Sequence, residues 1–159
     1  GTRCLHRRMR ARRRWLTRNM TADDIIDALA LAPHPEGGHY RETWVAGNSG
    51  RPTATCIYFL LRAEESSHWH RVDATELWLY HAGAPLILSL ADSDKGPARD
   101  HILGPDIAAG QSPQIIVPDD AWQMARSTGD WTLVSCVVSP GFSFDGFTLA
   151  APGFDIPRA

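Results

Sequence analysis

Residues 68–83 read His68-Trp69-His70-Arg71-Val72-Asp73-Ala74-Thr75-Glu76-Leu77-Trp78-Leu79-Tyr80-His81-Ala82-Gly83. Two short runs, His68–Val72 and Glu76–His81, flank the turn Asp73-Ala74-Thr75, a pattern that predicts two strands. The same grammar repeats outward on both sides. Upstream lie Gly38–Val45 and Thr53–Leu61, the latter almost wholly β-branched, aromatic or aliphatic. Downstream come Leu86–Leu90, Arg99–Leu103, Gln114–Val117, Trp122–Arg126, Trp131–Val138 and Ser143–Leu149, with Ser127-Thr128-Gly129-Asp130 as a hairpin turn. About ten short strands with no helix between them predict an all-β sandwich or barrel. A double-stranded β-helix, or jelly roll, with a short N-terminal helix fits best. That helix is expected to start at Thr21, a capping residue followed by Asp23 and Asp24 in the first turn. Ile25, Ile26 and Leu29 give it one apolar face, and Pro33 and Pro35 end it.

The chain has 159 residues, 43% of them hydrophobic, enough for one domain with a real core. No apolar run approaches the roughly 20 residues that span a bilayer. The net charge of −2 conceals a split. Residues 1–19 hold eight arginines and no acid, whereas the remainder carries eight bases against eighteen acids, a net of −10. The basic leader suits nucleic acid or anionic lipid. It lacks the apolar stretch of a secretory signal. We expect it to be dispensable, with the ordered domain running over residues 20–159. Nucleic-acid binding, resting on the leader alone, ranks last. Cys4, Cys56 and Cys136 make no metal-ligand spacing, and the last two sit in apolar runs. Buried thiols in a reducing, cytoplasmic compartment are the expectation.

His68 and His70 are the sharpest local signal for chemistry. On a regular strand they point to one face, and Glu76 follows on the next strand. Two imidazoles and a carboxylate are a usual open site for a divalent transition metal. On the predicted strand Glu76–His81, Glu76, Trp78 and Tyr80 share one face, a polar and aromatic wall beside His70 suited to a small polar ligand. The plainer alternative makes Trp78 and Tyr80 core. Glu76, if buried, needs a partner, for which His68, His70 and Arg41 are candidates. In Tyr40-Arg41-Glu42-Thr43, Tyr40 and Glu42 share one face and Arg41 the other. An inward Arg41 would favour an anionic ligand; an outward one makes this a surface strand. The loop His34-Pro35-Glu36-Gly37-Gly38 is read as a tight turn.

The run His68-x-His70, Glu76, Gly83 resembles the first cupin motif, with five residues between His70 and Glu76 where the common motif has three or four. In the segment Gly110 to Pro118-Asp119-Asp120-Ala121-Trp122-Gln123, the resemblance to the second motif puts Gln123 where its histidine falls. The chain is most similar to the Cupin 5 type, a domain of unknown function. The likeness rests on His34-Pro35-Glu36-Gly37-Gly38-His39-Tyr40-Arg41-Glu42-Thr43, Ile57–Leu61, His70-Arg71, Glu76-Leu77-Trp78, Leu103-Gly104, Gln114, Val117-Pro118, Trp122-Gln123 and Val138–Phe142. The resemblance implies the jelly roll and a homodimer, and it carries no assigned reaction.

Three functions follow as expectations. One is an isomerase or epimerase on a small polar or carbohydrate-like substrate, with His70 as general base, Glu76 orienting it and Tyr80 returning a proton. Tyr40, Arg41, Glu42, Trp78, Trp122 and Gln123 would contact the ligand. The second is a metal-dependent enzyme using His68, His70 and Glu76, with weak binding because Gln123 is a poor fourth ligand. The third is a ligand-binding protein without catalysis. For the homodimer, the apolar strand Thr53–Leu61 is the candidate interface, since an exposed strand of that kind invites association. A one-residue slip between His70 and Glu76 would separate them, so a bulge or longer turn at residues 73–75 is expected to absorb the extra residue.

Overall fold

A computed structural model describes residues 20–47 and 49–159, so the expectation about residues 1–19 lies outside the described residues. Helix α1 (Ala22–Leu29) begins with a reciprocal cap. Asp24 N–H donates to Thr21 Oγ1 at 3.1 Å, and Thr21 N–H donates to Asp24 Oδ2 at 2.9 Å. Two donors that the first turn leaves free are satisfied in this way. Ile25 and Leu31, buried, then seat this segment on Leu60.

Eleven strands follow: β1 (Ala32–Pro33), β2 (His39–Ala46), β3 (Ala54–Arg62), β4 (Ser66–Val72), β5 (Thr75–Gly83), β6 (Leu86–Ala91), β7 (Arg99–Leu103), β8 (Gln114–Val117), β9 (Trp122–Ser127), β10 (Trp131–Ser139) and β11 (Phe147–Leu149). They form two antiparallel sheets, ordered β1-β2-β3-β10-β5-β8 and β11-β4-β9-β6-β7. The expected strand at Ser143–Leu149 is shorter, because a 3-10 turn occupies Phe144–Gly146. Among the described residues no helix is long and apolar enough to cross a membrane.

Strand alternation sorts the side chains. Between the sheets lie Phe59, Leu61, Trp78, Leu86, Leu88, Val117 and Val134. On the far side of the second sheet, Trp69 and Trp122 pack with Ile156 and Phe154 of the C-terminal segment. Trp69 Nε1–H donates to Asp155 there at 2.8 Å. At one end of the sandwich, Val72, Ala74, Val138, Phe142 and Phe147 form a smaller apolar cluster. Among the described residues, the α1 segment packs on the outer face of the first sheet, against Leu60, Tyr58 and Leu133. β3 is not an edge: it pairs with β2 on one side and β10 on the other.

Candidate functional site

A cavity of about 80 Å³ opens at the end of the sandwich where β2, β4, β5 and β10 meet the 140–147 segment. His34, Glu36, Tyr40, Glu42, His70, Glu76, Cys136, Phe142 and Phe144 are among the residues that line it. The mouth segment is pinned from below. Arg51 makes a bidentate contact with Asp73 at 3.0 and 2.6 Å, and its Nε donates to the Gly141 carbonyl at 2.9 Å. Phe142 N–H donates to Thr55 Oγ1 at 3.0 Å.

His70 and Glu76 line one cavity: His70, Val72, Ala74 and Glu76 are all buried, so the inward alternation carries across the bend at residues 73–74, and a separate irregularity lies upstream. β4 and β9 pair Ser67 with Ala125 and His70 with Gln123, so β4 holds one residue more than its partner over this stretch. The bulge at His68–Trp69 lies before His70, so it changes the relation of His68 to His70 and leaves the stretch from His70 to Glu76 untouched. A bulge breaks the alternation that would put His68 and His70 on one wall. His68 turns away, its Nε2 lying 2.9 Å from the Ala151 carbonyl.

The floor of the cavity is a chain of buried polar groups. His70, Glu36 and Glu76 are 2, 8 and 7% exposed. His70 Nδ1 donates to the His68 carbonyl at 2.7 Å, and Nε2 faces Glu36 Oε2 at 3.0 Å. A carbonyl and a carboxylate only accept, so both ring nitrogens must donate: the ring is an imidazolium paired with a carboxylate. Burial pushes the His70 pKa down, but the Glu36 charge and hydrogen bond, with Glu76 behind them, outweigh it and raise it to about 9. Burial works to raise Glu36, and the His70 cation more than reverses this, holding it below the usual range.

Glu76 responds in the opposite sense. Burial lifts its pKa to about 7, against the His70 charge and aided by Glu36. Gln123 Nε2–H donates to Glu76 Oε2 at 2.7 Å, and Trp78 Nε1–H donates to Gln123 Oε1 at 2.9 Å. The indole therefore fixes which end of the amide faces the carboxyl. Cys136, whose thiol burial pushes well up, hydrogen-bonds Glu76 from β10.

His34 and Glu36 were read as parts of a turn, and the structure makes them part of the site. Gly37 has φ +108°, and a Cβ there would strike the Ser66 carbonyl oxygen, so only glycine lets the loop lie this close on β4. Glu36 O then accepts from His68 N–H at 2.8 Å, which drives the Glu36 side chain inward. The Glu36 N–H donates to His34 Nδ1 at 3.1 Å. That bond sets the His34 tautomer: the neutral ring carries its proton on Nε2. Burial, the first cause, lowers the His34 pKa and favours this neutral form.

The other expected ligand contacts divide. Tyr40 and Glu42 line the cavity, and Gln123 lies beneath it, joined to Glu76. Arg41 faces outward with its guanidinium 5.7 Å from the Tyr58 ring centroid, which removes the argument for an anionic ligand. Trp78 is core, packed edge-on to Phe59 at 5.9 Å, and acts on the site through Gln123. Tyr80 donates to the Gly83 carbonyl at 2.6 Å, away from the cavity, so it is not placed to return a proton there. Trp122 packs on the far face of its sheet, since its neighbour Gln123 points in.

The donor set named for a metal does not fit one as arranged. His68 lies outside the cavity and both His70 nitrogens are engaged. Among the described residues no three His, Cys, Asp or Glu side chains are grouped to hold a metal ion.

Residues 23–150 match the family described as Cupin_5, Cupin superfamily (DUF985). The chain belongs to that cupin family. Among solved structures this cupin is 41% identical to a protein from Shewanella oneidensis, covering 83% of this chain and 85% of that one with a TM-score of 0.79. It is 34% identical to a hypothetical protein from Leishmania major, covering 85% and 90% of the two chains with a TM-score of 0.76. Oxalate decarboxylase from Bacillus subtilis shares only 14% identity over 74% of this cupin and 29% of that chain, with a TM-score of 0.57, a likeness of fold alone. No curated protein matches the sequence.

Proposed function

We propose that this cupin catalyses proton transfer, an isomerisation or epimerisation, on a small polar substrate, with Glu76 as the acid–base group. The observation that carries this is a cavity-lining carboxyl held at a pKa of about 7 by burial, beside a buried ion pair. A group that titrates near neutrality can both take and return a proton. His70 is reassigned in this reading: with both nitrogens bonded to protein it is a fixed positive charge, not the general base. His34 takes an electrophilic role. Its Nε2–H can donate to a substrate carbonyl oxygen as Glu76 removes the proton from the adjacent carbon; the Glu76 carboxyl exchanges that proton with solvent and returns one to the substrate to complete the isomerisation. A neutral imidazole donor paired with a carboxylate base is a known division of labour for such chemistry.

The test is solvent-deuterium incorporation into a panel of small hydroxy- and amino-carbonyl compounds, followed by NMR. Exchange is expected to rise with pH to a plateau above about 7, as Glu76 ionises. Glu76→Gln is expected to slow it by about 100-fold or more. A variant that exchanges as fast as the parent would remove Glu76 from the mechanism; binding without exchange would favour a non-catalytic cupin.

We propose further that the protein is a homodimer joined through the outer face of the first sheet. One cross-strand row runs Trp44, Cys56, Val137, Leu77 and Ile116 over five strands. Its ends, Trp44 and Ile116, are 54 and 56% exposed. A wide apolar row of this kind marks an interaction surface. It includes Cys56 of β3, the strand expected at the interface. Sedimentation is expected to give a dimer at micromolar concentration, and Trp44→Glu with Ile116→Glu a folded monomer. A monomeric parent protein would contradict the proposal.

A further inference from the structure

The cavity is built of acids and aromatic rings. Glu36 and Glu76 sit in its floor, Glu42 stands exposed at its mouth, and Tyr40, Phe142 and Phe144 supply rings. Among the described residues no lysine or arginine lines it. The nearby guanidiniums face elsewhere: Arg41 over Tyr58, Arg51 on Asp73, and Arg71 5.1 Å from the Trp122 ring centroid. The one cation in the wall, His70, is already paired with Glu36. An anion entering here would meet carboxylates and no partner. A cation would meet Glu42 first, then the ring faces, then Glu76, a sequence of favourable contacts.

A second observation is independent of charge. The His34 side chain is 6% exposed and lines the cavity. Its Nδ1 accepts from the Glu36 backbone at 3.1 Å, so the neutral ring carries its donor on Nε2. A donor on a largely buried ring in a cavity wall is complemented by an oxygen on the ligand.

We propose that the cavity takes a small organic ammonium ion that also carries a hydroxyl or carbonyl oxygen, the nitrogen held among Glu42, Glu76 and the rings and the oxygen accepting from His34. This deepens the proton-transfer reading and rests on the same cavity being its site. The ligand is small, because about 80 Å³ holds only a few heavy atoms when enclosed.

Three probes of one shape and different charge separate the alternatives: 1-amino-2-propanol, propane-1,2-diol and lactate. Each is titrated at about pH 8 into the full-length protein after chelator treatment, with calorimetry and with NMR of labelled histidine and glutamate side chains. The ammonium probe is expected to bind about tenfold or more tightly than the diol, with lactate weakest. It should shift the resonances of His34 and Glu76. Glu42→Gln is expected to weaken the ammonium probe about two- to fivefold and leave the diol unchanged. Equal binding of all three, preference for lactate, no binding of the ammonium probe, or shifts confined to residues outside the cavity would each overturn the inference. Those failures leave the Glu76 pKa untouched. A Glu76 that titrates in the ordinary acid range, with ammonium binding intact, would sink the proton-transfer reading and spare the ligand class.

Discussion

Raising the pH from about 6 to about 9.5 is expected to remove about 3 kcal/mol of folding stability through His70 alone. The imidazole has a pKa of about 9 in the folded protein against an ordinary 6.5. The folded state therefore holds a proton that the unfolded chain releases first. The stabilisation is complete below the unfolded value and is lost as pH rises through the folded one. Glu76 acts with the same sign in a lower window, because its folded value of about 7 lies above the ordinary carboxyl value of 4.5. Glu36 has the opposite sign: its pKa is lowered, so its contribution is present above the unfolded value and is lost as acid protonates it. These groups face one another, so their contributions do not add. For the three together, stability is greatest on the acid side of neutrality and falls toward alkaline pH. Urea unfolding at several pH values checks the slope. His70→Gln should flatten it between about 6.5 and 9. A parent protein whose stability is level or rises over that window would show that the imidazole is not held as a cation.

Trp78→Ala is expected to cost about 3–5 kcal/mol. Trp78 is 1% exposed, sits between the sheets and packs edge-on to Phe59. Removing it leaves a cavity that the surrounding strands cannot close, since β5 is bonded to β10 and β8 on either side. Trp78→Phe is the more informative change. It keeps a ring but removes the N–H that Gln123 Oε1 accepts, at a cost of about 1–3 kcal/mol for the unpaired carbonyl. The freed amide can turn and present its oxygen to Glu76. A carboxylate beside that oxygen is disfavoured and the protonated form can donate to it, so the Glu76 pKa is expected to rise above about 7. Thermal or urea unfolding gives the first quantity and NMR titration the second. A Glu76 pKa unmoved in the phenylalanine variant would mean that the amide is oriented by something other than the indole.

Much of the fold is legible in the chain because its punctuation is local. The cap at Thr21 and Asp24, the turn at residues 127–130 and the apolar runs each report on their own neighbourhood, and the strands fall close to where those signals put them. The site is legible in part, and the failures share a cause. His68 and His70 would share a wall on a regular strand, and a bulge at His68–Trp69 undoes that. Nothing in the alternation of residues 66–72 marks a bulge, because it depends on the pairing with β9. Glu36 and His34 belong to a loop whose approach to β4 is a long-range contact; the signal on hand was Gly37-Gly38, which permits close approach without saying to what. Trp122 was assigned to the same side as Gln123, although adjacent strand residues face opposite ways. Tyr80 shares a face with Glu76 but lies at the far end of β5, where Gly83 takes its hydroxyl.

The most direct measurement is an NMR titration of protein carrying carbon-labelled glutamate carboxyls and nitrogen-labelled histidine rings. Glu76 is expected to titrate near pH 7, and His70 to show two protonated ring nitrogens at neutral pH and to lose one near pH 9. A Glu76 carboxyl that titrates in the ordinary acid range, together with a His70 ring that is neutral at pH 7, would contradict the acid–base site described here.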